Sequence, residues 1–297
     1  MKINQSISQF IDYISIERRL STLTVVAYSQ DLGSFLDFLE QNEVYDVENI
    51  SSLLIRQWEM KLLEEDKLSA RSVCRKLAAL RSWNKYLRKQ KITSIDFFAK
   101  ITSPKIQPQL PVFFRESEME KLSEQPLFPE TFEGVRDFLI IEIFYATGIR
   151  RAELVGLCDN SIDFENNTIK VLGKRNKERI IPIEQDLKQD ILNYIDLRYS
   201  VVESDTEKLF VNDKGKPLSA STVGAIVKKY MSKVSNAERI SPHVLRHSFA
   251  THLLNNGADI NAIKELLGHS SLAATQVYTH NTVEKLKKIY KSAHPRA

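Results

Sequence analysis

Three prolines fall within eleven residues between Thr102 and Val112, and they constrain this chain more than any other local feature. Proline lacks a backbone N–H and disfavours the helical conformation of the residue before it, so such a stretch interrupts regular structure. The stretch also has no helical periodicity, which is typical of an extended linker. Because 297 residues can form two separate cores, we predict an N-terminal domain over residues 1–102, a linker over 103–112 and a C-terminal domain over 113–297.

The first 102 residues carry apolar side chains at helical spacing in four successive segments. Apolar residues that recur every three or four positions predict amphipathic helices with one buried face. Glycine is scarce in this half, which suits closely packed helices. We therefore predict an all-helical bundle, with helices over residues 3–14, 24–39, 50–64 and 69–88.

The fourth of these segments is strongly basic. From Arg71 to Lys91 the sequence has eight Lys or Arg residues and no Asp or Glu. Most charge runs are ordinary solvated helix faces, but a run without a single acid favours contact with a phosphate backbone. The net charge is only +4, so any anion-binding surface has to come from local clusters. The candidate DNA-binding residues are Arg71, Arg75, Lys76, Arg81, Lys85 and Arg88.

Beyond the linker, helical segments flank one short sheet. Residues 138–145 predict a buried helix that ends near Gly148, and Arg150 then stands at the start of another helix. An alternating pattern bounded by turn residues predicts three antiparallel strands over residues 162–164, 168–172 and 179–183. The connection between the last two strands is short and cationic, and it exposes Lys174. The expected fold class is thus mainly α with a small three-stranded antiparallel sheet.

Five of the six histidines fall between Ser241 and His280. Serine is a good N-cap and proline is tolerated in a first turn, so Ser241 and Pro242 predict a helix start. His243 and Arg246 are three residues apart and share a face at the positive end of this helix. An imidazole and a guanidinium there, with no carboxylate beside them in this stretch, suit a polyanion.

A second helix is predicted over residues 260–267, where Gly268 provides a natural C-terminal stop and His269 follows at once. A third helix would carry Tyr278. Taken alone, each of these polar residues is most simply an ordinary, partly buried side chain.

Two functional interpretations compete with that simple one. His243 and His247 are four residues apart, as in a helical zinc site, but the glutamate that a zinc protease needs is absent and Arg246 would repel a cation. The alternative is phosphoryl chemistry on a nucleic acid, in which arginines hold a phosphate, histidines move protons and a tyrosine hydroxyl attacks.

The two cysteines, Cys74 and Cys158, are far apart and do not form a metal-binding or redox pair. The sequence shows neither a signal peptide nor a run of about 18 apolar residues. We therefore expect a protein of the reduced cytoplasm without a membrane span.

Four motifs in a fixed order carry a resemblance to a known family: residues 146–157, 171–183, 241–254 and 265–280. Together they resemble the tyrosine recombinase (phage integrase) family, and the length of the chain is most similar to that of its bacterial Xer members. The N-terminal half contributes a further matching set, Ser21, Thr24, Ala27 and Tyr28. The resemblance implies a SAM-like helical core-binding domain, which clamps DNA, followed by a catalytic domain.

The resemblance also implies a site and a mechanism. Tyr278 would be the nucleophile, attacking a DNA phosphate to form a 3′-phosphotyrosyl link and free a 5′-hydroxyl. Neither a metal nor a nucleotide cofactor would be needed. The one departure is Arg175, where relatives commonly have glycine after the lysine. The implied catalytic residues are Arg150, Lys174, His243, Arg246, His269 and Tyr278.

The partners that the resemblance implies are a double-stranded recombination site and further recombinase subunits. A tetramer on two DNA sites would contain either one protein or two paralogues, and the C-terminal tail would dock on a neighbouring protomer. A DNA translocase of the FtsK type is a further implied partner. Resolution of chromosome dimers at cell division is the expected role. A mobile-element integrase or DNA invertase, a type IB topoisomerase and a DNA-binding protein without catalysis are the alternatives.

Overall fold

The computed structural model describes residues 1–99, 101–106, 111–124, 127–173, 178–203, 206–268 and 290–295. The chain forms two compact units, Met1–Gln109 and Leu110–Ala297. The predicted fold class is confirmed, because the structure is mainly helical and contains one small three-stranded antiparallel sheet. Within the described ranges, no helix combines the length and the apolar character needed to cross a membrane.

The described part of the first unit has four α-helices, and three of them begin at a serine. The side chains of Ser21, Ser51 and Ser69 each accept a hydrogen bond from the backbone amide three residues later. Such a cap satisfies a donor that has no partner inside the helix, so these starts are encoded locally. The first and third helices each continue into one π-helical turn. The helices are α1 (Ile3–Asp12), α2 (Thr22–Gln41), α3 (Ser52–Met60) and α4 (Ala70–Lys89).

Helices of this unit end without glycine. Glu43 and Lys91 follow α2 and α4 and adopt left-handed φ angles of 58° and 59°. The next residue is apolar in both cases, and its amide donates back into the last helical turn, as from Val44 to the Leu39 carbonyl at 2.9 Å. This is the Schellman arrangement, which usually relies on glycine. In this half, where glycine is scarce, non-glycine residues therefore occupy the strained left-handed position that follows a helix.

The core of the first unit is aromatic as well as aliphatic. Phe35 on α2 contacts Trp58 on α3 with a ring-centroid distance of 4.9 Å. It also contacts Trp83 on α4 at 6.5 Å. All three rings are buried, so this cluster joins three of the four predicted helices.

In the second unit, seven α-helices and three strands fall within the described residues. The three strands pair in the order β1–β2–β3, and Ile169 lies opposite both Ile162 and Ile181. The third strand lies one residue earlier than predicted, because Glu178 pairs with Leu172. The elements are α5 (Glu116–Glu124), α6 (Phe132–Thr147), α7 (Arg151–Gly156), β1 (Ile162–Asp163), β2 (Thr168–Leu172), β3 (Glu178–Pro182), α8 (Gln185–Val201), α9 (Ala220–Val234), α10 (Pro242–Asn255) and α11 (Ile260–Leu267).

The predicted buried helix is α6, which lies at the centre of this unit. It packs against α8, α9 and α10. It ends at Gly148, whose φ of 58° and close approach to Phe249 require glycine, because an added Cβ would lie 2.5 Å from that ring. The predicted helix stop at Gly268 is confirmed in the same way, with a φ of 63° after α11. Both glycines border the site described next.

The described end of the chain packs on its own unit. Tyr290 and Ala293 are buried in an apolar cluster with side chains of α10 and α11, including Phe249 and Leu266. The His294 ring stacks on Tyr290 with a centroid distance of 4.7 Å. Docking of the tail on a neighbouring protomer stays a prediction.

Candidate active site

The starts of α7 and α10 meet at an open recess of about 380 Å³. Three of its residues are arginines and one is a histidine, so the recess is positively charged. The predicted residues Arg150, His243 and Arg246, from two different helices, are brought together here. The recess is lined by Ile149, Arg150, Arg151, Ser241, Pro242, His243 and Arg246.

Arg150 is held in place by an acid of its own helix. It occupies the N-cap position of α7, where its backbone amide donates to the Glu153 carboxylate at 2.8 Å. Its Nη1 donates to the same carboxylate at 2.7 Å, and its Nη2 donates to the Gly268 carbonyl at 3.2 Å. The side chain keeps 41% of its surface exposed, so the guanidinium is fixed and still accessible.

Arg246 is buried and joins two helix ends. Its Nη1 donates to the Gly148 carbonyl at 2.6 Å, and its Nη2 donates to the Leu267 carbonyl at 2.7 Å. Burial, together with the positive charges of Arg150 and Arg179, lowers the pKa of Arg246 to about 10. The guanidinium therefore remains a cation at neutral pH.

Arg179 on β3 was not among the predicted site residues. It is buried, and its Nη1 and Nη2 donate to the two oxygens of Glu153 at 2.8 and 2.9 Å. Its Nε donates to the Leu266 carbonyl at 2.9 Å. The sequence held one signal for this residue: it alternates with Ile181 on a strand face that points into the core.

Glu153 stands three residues after Arg150, a spacing that predicts that it holds Arg150 or Arg151 in place, and its ion pair with Arg150 confirms this. Its charge also acts on Arg246, although the sequence from Ser241 to His280 has no carboxylate beside His243 and Arg246. Burial alone would raise the pKa of Glu153, but hydrogen bonds and charge from Arg179 and Arg150 outweigh it and lower the pKa to about 2. Glu153 is thus ionised and joins two arginines.

The histidines of α10 have different surroundings. His243 lines the recess, while burial and the nearby charge of His243 lower the pKa of His247. His252 is buried, with its Nδ1 2.9 Å from the Tyr145 hydroxyl and its Nε2 2.9 Å from the Phe114 carbonyl. Both ring nitrogens of His252 therefore form hydrogen bonds inside the protein, which is the ordinary structural role considered for each histidine.

Three predicted catalytic residues, Lys174, His269 and Tyr278, lie outside the described residues, as does Arg175. The described neighbour Gly268 precedes His269, and its carbonyl accepts the hydrogen bond from Arg150. Three of the six catalytic assignments can therefore be located, and all six stay predictions.

The basic helix α4 is less free of acid than its sequence indicates. Arg75 forms an ion pair with the buried Asp31 of α2, and Lys76 lies 3.4 Å from the same carboxylate. Arg88 pairs with Asp96 at 2.9 Å. Acids from distant positions thus neutralise part of the run.

Two candidates on α4 keep their charge available. Arg71 and Lys85 are exposed, and the ion pairs among the described residues do not include them. Arg81 is partly buried and donates to the Ser103 hydroxyl at 2.9 Å. DNA contact by this helix stays a prediction, with Arg71 and Lys85 as its strongest candidates.

Comparisons with known families agree with this arrangement. Residues 113–285 match the phage integrase family, and residues 7–91 match the phage integrase N-terminal SAM-like domain. The chain therefore belongs to the phage integrase family, the tyrosine recombinases, as its motifs predicted. Its enzyme class is that of a site-specific DNA recombinase.

Individual relatives refine this assignment. The chain is 37% identical over 299 residues to the tyrosine recombinase XerC of Anoxybacillus flavithermus, covering 99% of both chains. It is 35% identical over 297 residues to the tyrosine recombinase XerD of Staphylococcus epidermidis, covering 99% of this chain and 100% of the relative. The similarity is thus to the Xer type, and it extends over both units.

Solved structures share the fold. A XerH recombinase bound to its difH substrate has a TM-score of 0.71 at 22% identity, covering 96% of this chain and 81% of that one. The Tn1549 transposon integrase, in complex with transposon right end DNA, has a TM-score of 0.70 at 20% identity, covering 97% and 99%.

Proposed function

We propose that this protein breaks and rejoins DNA at a specific site through a 3′-phosphotyrosyl intermediate. The observation that carries the proposal is the convergence of Arg150, His243 and Arg246 on one accessible recess. Two guanidiniums and an imidazole at a helix N-terminus form a site for a tetrahedral anion. A DNA phosphate has this charge and shape.

The two arginines would stabilise the transition state. Charge builds on the non-bridging phosphate oxygens as the nucleophile attacks, and donors that are already fixed cost no reorganisation at that moment. Arg150 is fixed by Glu153, and Arg246 is fixed by two backbone carbonyls. These cations supply the charge that a metal ion supplies in other phosphoryl-transfer sites.

The remaining steps fall to the predicted residues around the recess. A tyrosine with a pKa near 10 is a poor nucleophile at neutral pH, so His243 would accept the proton as Tyr278 attacks. The bond from phosphorus to the 5′-oxygen breaks, and Lys174 would protonate that leaving oxygen. His269 would donate a hydrogen bond to the phosphate. Attack by the 5′-hydroxyl of a partner strand reverses the reaction and completes strand exchange.

The proposed role is resolution of chromosome dimers in the cytoplasm at cell division. It is supported by full-length relatives named XerC and XerD at 35–37% identity. The active assembly would be a tetramer on two DNA sites, with a paralogue or with itself, assisted by a translocase of the FtsK type. A mobile-element integrase is the alternative, but its support is a fold likeness at 20% identity.

The test is a covalent-adduct assay in EDTA, on a nicked suicide substrate that carries the host's own dimer-resolution site. The wild-type protein should retain labelled DNA on a denaturing gel. Tyr278→Phe should bind the substrate but form no adduct, because the attacking oxygen is gone. Tyr199→Phe, which changes an exposed tyrosine on α8, is the matched control and should form the adduct normally.

Two outcomes would contradict the proposal. An adduct that persists in Tyr278→Phe removes that residue as nucleophile. Cleavage that appears only when Mg²⁺ is added means that the two arginines do not suffice for the chemistry.

A further inference from the structure

Three arginines donate to three consecutive backbone carbonyls at the end of α11. Arg179 Nε donates to Leu266 at 2.9 Å and Arg246 Nη2 donates to Leu267 at 2.7 Å. Arg150 Nη2 donates to Gly268 at 3.2 Å. The last carbonyls of a helix have no partner within it and carry the negative end of the helix dipole. This helix end is therefore fastened to the cationic site at three adjacent points.

Arg179 differs from the other two arginines because it does not line the recess. It is buried, with 4% of its surface exposed, so it cannot reach DNA from its position. It also packs directly on Gly268, where an added Cβ would lie 3.0 Å from its Cδ. Arg179 therefore contacts two parts of the site without facing the space that the phosphate would occupy.

The contacts of Arg179 form a chain that ends at Arg150. Arg179 donates to both oxygens of Glu153, and Glu153 accepts from the backbone amide and the Nη1 of Arg150. A bidentate guanidinium–carboxylate pair fixes the orientation of both groups. Arg179 thus fixes the orientation of the Glu153 carboxylate, and that carboxylate in turn fixes Arg150.

We propose that Arg179 is a positioning residue, which locks Glu153 and the end of α11 together so that Arg150 is held at the recess. The proposal rests on the proposed function, because the reaction that it serves is phosphodiester cleavage at that recess. It adds a role that the six predicted catalytic residues do not include. Arg179 belongs to β3, the strand that follows Lys174 in the sequence, and its hydrogen bonds link β3 to α7 and α11.

The expected effect has a pH dependence that can be measured. Without Arg179, Glu153 stays buried but loses the partner that most strongly keeps it ionised, so its pKa rises. Protonation of Glu153 at lower pH then releases Arg150. Single-turnover cleavage by Arg179→Leu should be roughly 10-fold to 100-fold slower at pH 7, which is typical of a displaced catalytic group. As pH is lowered from 7, the cleavage rate of Arg179→Leu should fall more steeply than the wild-type rate does.

The matched control is Arg198→Leu. Arg198 is equally buried, donates to both oxygens of Asp159 at 2.9 and 2.5 Å, and also donates to two backbone carbonyls, but it does not line the recess. Its loss should lower stability without adding an acid limb to the cleavage profile. Arg179→Lys keeps the charge but loses the paired donors, so it should recover part of the rate. If the leucine variant fails to fold, the lysine variant carries the test.

A second readout does not depend on activity. Hydrogen–deuterium exchange of the peptide over residues 260–268 should increase in both Arg179 variants and stay unchanged in Arg198→Leu.

If the wild-type protein forms no adduct, the proposed function fails, and the exchange result alone decides whether Arg179 fastens α11. Wild-type exchange and a wild-type pH profile in the Arg179 variants would overturn the positioning role. Equal slowing in Arg179→Leu and Arg198→Leu would reduce it to general stability.

Discussion

Arg246 is a buried cation next to two other arginines, which is an expensive arrangement without compensation. Its guanidinium is compensated by carbonyl oxygens at two helix ends and by the nearby charge of Glu153. Among the described residues, Glu153 is the carboxylate that pairs with Arg150 and Arg179, and its charge also acts on Arg246, so three cations face one anion there. An incoming phosphate would supply the missing negative charge.

The ionisation of Glu153 gives the first prediction at this scale. Its pKa falls from 4.5 to about 2 in the folded protein, so the native state favours the carboxylate. This preference contributes up to about 3 kcal/mol to the free energy of unfolding above pH 4.5, and it disappears as pH falls toward 2. Glu153→Gln should therefore be less stable than wild type at pH 7, and the difference should shrink below about pH 4.

Urea unfolding of both proteins at pH 7, 5 and 3 would measure this difference. Glu238→Gln removes an exposed carboxylate and should change stability little at any of these values. A difference for Glu153→Gln that stays constant across this pH range would mean that the ionised carboxylate is not what stabilises the native state.

At the scale of elements, helix boundaries were predictable where one residue type decides them. Ser51 and Ser69 cap their helices through their own hydroxyls, and Gly148 and Gly268 adopt left-handed conformations that favour glycine. Ser241 shows the limit of this approach, since it occupies the N-cap position of α10 but its side chain makes no capping hydrogen bond.

The pairing of charges was much less predictable. Glu153 and Arg179 are 26 residues apart, and Asp31 and Arg75 are 44 residues apart. Periodicity places each residue on a face of its own element, but it does not specify which faces meet. From the sequence alone, α4 is therefore more strongly cationic than it is in the fold, and the contacts of Arg179 with Glu153 and Leu266 cannot be predicted.

The helix ends without glycine give a prediction at this scale. Glu43 is exposed and follows α2 with a φ of 58°. A left-handed conformation costs a non-glycine residue roughly 1–2 kcal/mol, while glycine loses roughly 0.5–1 kcal/mol more entropy on folding. Glu43→Gly should therefore stabilise the protein by up to about 1 kcal/mol.

The control for that substitution lies three residues earlier. Glu40 is also exposed but lies within α2, so Glu40→Gly should destabilise by about 1 kcal/mol. Thermal unfolding of the two variants should show shifts of opposite sign. Destabilisation by both would mean that the end of α2 is not strained by Glu43.

At the scale of the whole molecule, a net charge of +4 is small for a protein that binds a polyanion. The positive charge is therefore concentrated locally, and each of the two units has such a concentration. The second unit has the arginine-lined recess, and the first has α4. We expect the recess to contribute chemistry and α4 to contribute sequence-independent affinity.

The salt dependence of DNA affinity should show which basic residues of α4 contact phosphates. Arg71 and Lys85 are exposed and lie fourteen residues apart on one helix, which corresponds to about 21 Å along its axis. Each cation that neutralises a phosphate adds about 0.9 to the slope of log affinity against log salt concentration. Arg71→Gln and Lys85→Gln should each reduce this slope by about 1 and weaken binding to all DNA sequences alike. Arg88→Gln should change it less, because Asp96 already pairs with Arg88 at 2.9 Å.

Fluorescence anisotropy with a labelled duplex at several salt concentrations would give the three slopes. Equal slopes for wild type and both exposed-residue variants would remove α4 from the DNA interface, and affinity would then have to come from other surfaces.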